Sequence, residues 1–297
     1  MPLAAHRLTQ PTESRAMTFG RILLAALIPL VVGACASTPV TGRKQLMLVS
    51  EDSAIAASQQ AYQEMLAPYA QKGRLNNDPA LRGRVESITA RLIPPAVEYR
   101  PETAQWDWQI TVIDDPETLN AWAMAGGKMA IYTGIIQKLA LTDDEIAQIM
   151  GHEIAHALAK HTAERMSVAV ASDAAASVAG AVLGERLGDP QLTQQGLSAA
   201  AAVAVQLPNS RAQETEADRI GIELAARAGY NPEAAVTLWQ KMIRATGNAG
   251  SFDFLSTHPA SQKRVDALRE LAVAMMPLYR NASPSRVYSF SSKTISG

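Results

Sequence analysis

Gly151-His152-Glu153-Ile154-Ala155-His156 places two histidines four residues apart, with a glutamate directly after the first. Ile149, Met150, Ala157 and Leu158 flank it without a charge or a proline, so the stretch reads as a buried helix. On a helix, positions i and i+4 lie about 40° apart around the axis and about 6 Å along it, so both imidazoles can reach one metal ion. Glu153 sits about 100° round from His152, where it can approach a water held by that ion from the side. Histidine is scarce, with 5 in 297 residues, which sets the pattern apart from chance. Thr142 with Glu145 three residues on forms a capping box, and Asp143 and Asp144 suit the positive end of the helix dipole. The spacing is what zinc-dependent peptide hydrolysis needs; two histidines that merely pack are the bland alternative. His161 falls about 140° round the same helix from His156 and is read as structural.

A catalytic zinc needs three protein ligands and one open position. The candidate for the third lies in Ser210-Arg211-Ala212-Gln213-Glu214-Thr215-Glu216-Ala217-Asp218, where Glu214 and Asp218 stand at i and i+4. Glu214 completes a two-histidine, one-glutamate set. Asp218 then accepts the outer N–H of a ligating histidine and fixes its tautomer. The competing reading is an ordinary helix face with Arg211, Glu216 and Arg219 in water.

Before the metal motif the chain carries a different signal. Arg15 and Arg21 precede the apolar run Ile22 to Val32, followed by Gly33-Ala34-Cys35. That is a positive segment, a short apolar segment and small residues at a cleavage point. Eleven residues interrupted by Pro29 are too short to span a bilayer comfortably. The segment resembles a bacterial lipobox with Cys35 as the lipidated residue. Cys35 is the only cysteine, so it forms no internal disulfide. Ala36 resembles the outer-membrane sorting class, which puts the expected location on the periplasmic face of the outer membrane, with contact to the membrane through the lipid anchor only. Met1 and Met17 are both open as the start. The expected organisation is a signal peptide over 1–34, a lipidated linker over 35–50, a catalytic domain over 51–280 and a C-terminal tail over 281–297.

A net charge of -1 and a pI near 6.5 give no support to nucleic-acid binding. Helices are expected from Glu51 to Ala67, stopped by Pro68, and from Asp78-Pro79 to Leu92. Trp106 to Ile113 alternates apolar and polar residues as a half-buried strand does. Lys128 to Thr133, after the Gly126-Gly127 turn, is a second strand. The metal-motif helix is expected to run from Thr142 as far as Met166. Ser167 to Leu207 reads as two alanine-rich helices parted by Gly184 to Pro190, packed over the site or forming a lid. Further helices run to about Gly229, open at Asn231-Pro232-Glu233, and run from Ala260 to Met275.

Five stretches together resemble the zinc metallopeptidases that include the CaaX prenyl endoprotease and HtpX, in particular their soluble lipoprotein branch without a helical-repeat domain. They are Pro39-Val40-Thr41-Gly42-Arg43, Asn120 to Gly134, Gly151 to His156, Glu214 to Gly221, and Ser256-Thr257-His258-Pro259 with Arg264. The resemblance implies a mostly helical α+β, zincin-like domain of the gluzincin type, with a small sheet beside the active-site helix. It implies one zinc per chain held by His152, His156 and Glu214, with Glu153 as the base and Asp218 behind a ligand. It further implies an edge strand, Lys128, Met129, Ala130 and Ile131, that binds substrate backbone by strand addition. Ala125 stands where family members often have proline. His258 is given an active-site role, as an oxyanion stabiliser with Arg264 or as a fourth zinc ligand. The implied activity is metalloendopeptidase cleavage of misfolded or misassembled envelope proteins; a chaperone-like or adaptor lipoprotein that holds unfolded proteins is the alternative.

Overall fold

The computed structural model describes residues 35–38, 41–180, 190–245, 253–283 and 287–290. Residues 1–34, read as a signal peptide, and Pro39-Val40 lie outside them. Strands β1 (Cys35–Ser37) and β2 (Lys44–Leu46) form an antiparallel hairpin, with Cys35 opposite Leu46. Helix α1 (Glu51–Ala70) starts where Ser50 accepts the amide of Ser53, and it carries Pro68 inside it rather than ending there. Helix α2 (Pro79–Tyr99) is capped by Asp78, which accepts from the amides of Ala80 and Leu81.

α2 continues beyond the expected end at Leu92, through Pro94 and Pro95. Pro94 has no N–H for the carbonyl of Ala90 one turn earlier. The amide of Tyr288 donates to that carbonyl at 3.0 Å instead. Part of the tail is thus built into the fold, and Tyr288 and Phe290 pack against the core.

A three-stranded sheet follows: β3 (Gln109–Ile113), β4 (Ala121–Met124) and β5 (Lys128–Tyr132), in the order β3-β5-β4. β5 runs parallel to β3 and antiparallel to β4. β3 starts later than Trp106 because Pro101–Gln105 forms a 3-10 turn whose Thr103 carbonyl accepts from the Trp106 amide and the Trp108 indole. Nor is β3 half-buried. Its polar Thr111 is covered by Tyr62 of α1, whose hydroxyl lies 2.7 Å from the Thr111 hydroxyl and donates to the Met129 carbonyl at 3.0 Å. Alternate residues of the sheet face two cores. Met129, Ile131, Ala121 and Ala123 face the core built on α2 and later helices; Ala130, Tyr132, Trp122 and Met124 face α1.

This topology corrects the expectation for Lys128, Met129, Ala130 and Ile131. They are not an edge strand: β5 is central, with β3 on one side and β4 on the other. Gly126 and Gly127, at φ +77° and +74°, fold β4 back along β5 and cover the side expected to be open. A Cβ on Gly127 would fall 2.4 Å from the Trp108 ring, so only glycine fits that turn. The edge among the described strands on this side is β4.

Helix α3 (Thr133–Lys138) leads to α4 (Asp143–Leu158), which has the expected Thr142–Glu145 capping box. α4 does not run to Met166. It ends at Leu158, Lys160 takes a left-handed φ of 61°, and α5 (His161–Gly180) sets off afresh. The remaining helices are α6 (Pro190–Gln206), α7 (Arg211–Arg227), α8 (Ala234–Ala245), α9 (Asp253–Thr257) and α10 (Gln262–Arg280). α6 packs its Ala201 and Ala204 in the α1 core, and Ser198 donates to Glu64 of α1 at 3.0 Å. No helix among the described residues is long and apolar enough to cross a membrane.

α4 and α7 meet backbone to backbone. A Cβ on Gly221 would lie 2.7 Å from the amide nitrogen of His152 and 2.8 Å from its Cα, and a Cβ on Gly151 would lie 2.8 Å from the Gly221 carbonyl oxygen. This contact brings the two candidate ligand helices together.

Candidate active site

α4 supplies His152, Glu153 and His156, α7 supplies Glu214 and Asp218, and the turn between α9 and α10 supplies His258. All six are buried. His152 Nε2 lies 3.0 Å from His156 Nε2 and 3.6 Å from Glu214 Oε2; His156 Nε2 lies 3.3 Å from Glu214 Oε1. His258 Nδ1 is 2.9 Å from Glu214 Oε1 and 3.2 Å from His152 Nε2. These four side chains bring donor atoms within 4.8 Å of one another.

The donor set fits zinc. Nitrogen and oxygen atoms bonded to a tetrahedral zinc at about 2.0–2.1 Å stand about 3.3–3.4 Å apart, close to the separations here. Proton bookkeeping gives the same answer. His152 Nδ1 lies 3.0 Å from Asp218 Oδ1, so the carboxylate favours the hydrogen on that nitrogen, and in the neutral ring Nε2 then presents a lone pair to the cluster. His156 Nδ1 lies 2.7 Å from His161 Nδ1, which turns its Nε2 to the cluster as well. Two lone pairs 3.0 Å apart beside a carboxylate repel unless a cation lies among them.

Burial works against a charge on His152, but Glu214 and Asp218 outweigh it and raise the imidazole. Those carboxylates favour a metal cation there for the same reason they favour a proton. Burial holds His156 well below the ordinary imidazole value. Burial also opposes ionisation of Glu214, yet His258 and His152 keep it well below the carboxylate range. Glu153 is pushed the other way: burial raises its carboxyl, and His258 Nε2 lies 3.4 Å from it.

Arg264 stands behind the cluster. Its Nε and Nη2 donate to Asp218 at 2.7 and 2.6 Å, its Nη1 meets Glu214 Oε2 at 2.5 Å and also donates to the Pro259 carbonyl at 3.2 Å. The guanidinium lies over the Trp239 ring at 3.6 Å. All three of its nitrogens are engaged on this side, in a position to orient the carboxylates. His258 stacks on Phe254 with ring centres 4.3 Å apart and lies between Glu214 and Glu153.

His161 and Glu216 had no place in the sequence-based site. The turn at Lys160 brings His161 back onto the far nitrogen of His156, and Glu216 is buried against His161 Nε2 at 3.1 Å. Burial opposes the charge on Glu216, but hydrogen bonds from His161, Thr41 and Arg43 lower it to about 2. The one available signal was scarcity: four of the chain's five histidines meet in this cluster. Of the expected substrate strand, Lys128 donates to the Asp107 carbonyl and lies far from free. The neighbouring edge β4 borders a cavity of about 340 Å³ lined by Met65, Asn120, Trp122, Tyr132, Val205 and Thr257, the last next to His258.

The chain is similar to proteins of known families. It is 33% identical over 233 residues to the mitochondrial metalloendopeptidase OMA1 of Schizosaccharomyces pombe, covering 78% of this chain and 65% of that protein. Similarity to the metalloendopeptidase OMA1, mitochondrial, of Homo sapiens is 28% over 271 residues, covering 86% and 51%. The β-barrel assembly-enhancing protease of Escherichia coli K12 is 28% identical over 230 residues, covering 70% and 42%. The chain spans less than two thirds of the length of each of these relatives. Residues 79–272, which carry both ligand helices and His258, match the model of peptidase family M48. With the helix-borne cluster of candidate metal ligands and the small mixed sheet in place, the chain belongs to peptidase family M48.

Proposed function

We propose that this protein is a zinc metalloendopeptidase, with His152, His156 and Glu214 holding the metal. The convergence of those three donors beside the buried Glu153 carries the reading. Zinc, when bound, lowers the pKa of water and polarises a carbonyl. Glu153 accepts the proton of the attacking water and returns it to the leaving amine. Asp218 and Arg264 are positioning residues: Asp218 fixes the tautomer of His152, and Arg264 fixes Asp218 and Glu214. His258, 2.9 Å from Glu214, serves as an oxyanion stabiliser or as a fourth ligand of a resting state. Substrate backbone adds along β4, Ala121 to Met124, the outer strand of the sheet on this side, and a side chain enters the adjoining cavity.

The purified protein should contain one zinc per chain and cleave casein, and a chelator should abolish cleavage. Metal content of zero, or cleavage indifferent to chelator, would overturn the reading; casein held but left uncut would favour the chaperone-like alternative.

The substrates we infer are misfolded or misassembled envelope proteins, and the anchor is a lipid on Cys35 at the periplasmic face of the bacterial outer membrane. Support comes from the apolar run ending at Gly33-Ala34-Cys35 and from a bacterial relative named for β-barrel assembly. The likeness to mitochondrial OMA1 supports a second setting, in which the stretch before Cys35 is an organelle address. Acyl labelling in a bacterial host that vanishes in Cys35→Ala supports the first; no labelling in the unaltered chain sinks it.

A further inference from the structure

The segment Thr41 to Gln45 is wired to the back of the candidate ligand cluster. Arg43 donates through Nε to Glu216 at 2.8 Å and grips Glu164 of α5 with both terminal nitrogens, at 2.8 and 2.6 Å. The Thr41 hydroxyl donates to the other oxygen of Glu216. Gln45 donates to the carbonyl of Ala159 at 2.7 Å and to Glu164 at 3.0 Å. That carbonyl belongs to the break between α4 and α5, so the same segment braces the bend that brings His161 to His156.

Proton assignments along this path follow from one end. Glu216 already accepts from Arg43 Nε and the Thr41 hydroxyl, so His161 Nε2 carries the hydrogen of the 3.1 Å contact. Neutral His161 then has a bare Nδ1, which must accept from His156 Nδ1 at 2.7 Å. His156 is left with its Nε2 lone pair facing Glu214 and His152.

We propose that the segment Thr41 to Gln45 is a positioning element of the metal site: through Glu216 and His161 it fixes the tautomer and orientation of His156. The proposal rests on the reading of His152, His156 and Glu214 as zinc ligands. It makes Arg43, Glu216 and His161 positioning residues and ties the candidate anchor at Cys35 to the metal by a continuous set of contacts. A purely structural clasp would hold the fold without affecting the metal.

The test uses the full chain and four variants: Arg43→Ala, His161→Leu, His161→Asn and His156→Ala. Zinc affinity is read by competition with a chromophoric chelator, ligand geometry by the visible spectrum of the cobalt-substituted protein, and folding by thermal unfolding. Arg43→Ala and His161→Leu should lose about 10- to 100-fold in zinc affinity and shift the cobalt bands. His161→Asn offers an acceptor oxygen where Nδ1 stood, and should recover affinity relative to His161→Leu without being better folded. Unchanged affinity and spectrum in Arg43→Ala, with metal lost in His156→Ala, overturn the proposal and leave the zinc reading intact. Full affinity in His156→Ala overturns the zinc reading itself. Arg43 is partly exposed, so its variant carries the test even where the His161 variants fold poorly.

Discussion

Glu153→Gln should keep its zinc and its fold and lose casein cleavage by about 10²- to 10⁴-fold, the usual worth of a positioned general base. Glutamine has the shape of glutamate and cannot take a proton. Glu153 is not among the four clustered donors, so metal content should stay at the unaltered value. A Glu153→Gln protein that cleaves at the normal rate would sink the mechanism. The same residue sets a pH dependence. Burial raises the Glu153 carboxyl, so the base is neutralised, and kcat/KM falls, at a pH above the ordinary carboxylate value of 4.5. Stability runs the opposite way for this group: a raised native pKa means that the folded state gains relative stability from Glu153 as pH falls. Glu216 is lowered from 4.5 to about 2, so its contribution is complete above about 4.5 and is lost as pH falls towards 2. The acid limb of activity should therefore be reversible and precede acid unfolding. Loss of activity that tracks loss of fold would contradict this.

Gly221→Ala should damage the enzyme more than it damages the protein. The added methyl would lie 2.7 to 2.9 Å from backbone atoms of Gly151 and His152, which cannot move aside as a flexible side chain would. Overpacking of this kind costs about 1–3 kcal/mol. The relief available is separation of α4 from α7, which moves His152 and His156 away from Glu214. Misplacement of reacting groups by about 1 Å can cost about 10²-fold in rate. Gly83→Ala on α2 provides the contrast, since its Cβ would meet nothing within 4 Å. That change should stabilise by about 0.5–1 kcal/mol and leave activity alone. Denaturant unfolding together with kcat/KM separates the outcomes. Equal small effects for the two glycines would show that the helices tolerate separation.

His152, Glu153 and His156 were legible because helical periodicity alone puts them together, and Glu214 with Asp218 for the same reason. His161 was not. The bend that brings it back depends on a left-handed lysine, and lysine carries no signal for that conformation. Helical periodicity extended past Leu158 points His161 the wrong way. β4 was missed because Ala121-Trp122-Ala123-Met124 is apolar throughout; with a core on both faces it has no alternation to read. The edge role expected of β5 came from the resemblance, and the order β3-β5-β4 gives that place to β4. Glu216 looked like a solvated charge because the partners that bury it, Thr41 and Arg43, lie some 170 residues earlier in the chain. Fold class and the candidate ligand set are local patterns here, whereas the proposed brace and substrate strand are products of tertiary contact.

The covering of the sheet by α1 bears on where this chain can be cut. The family match begins at residue 79, after α1 has ended at Ala70. A fragment trimmed to that match would retain every candidate ligand, yet it would lay open the sheet face of Thr111, Trp122, Met124 and Ala130. It would also drop Tyr288 from the carbonyl that Pro94 leaves unpaired. The span that defines kinship is therefore shorter than the span that closes the sheet's second core. Borders drawn by shared chemistry and borders drawn by burial fall at different residues in this molecule.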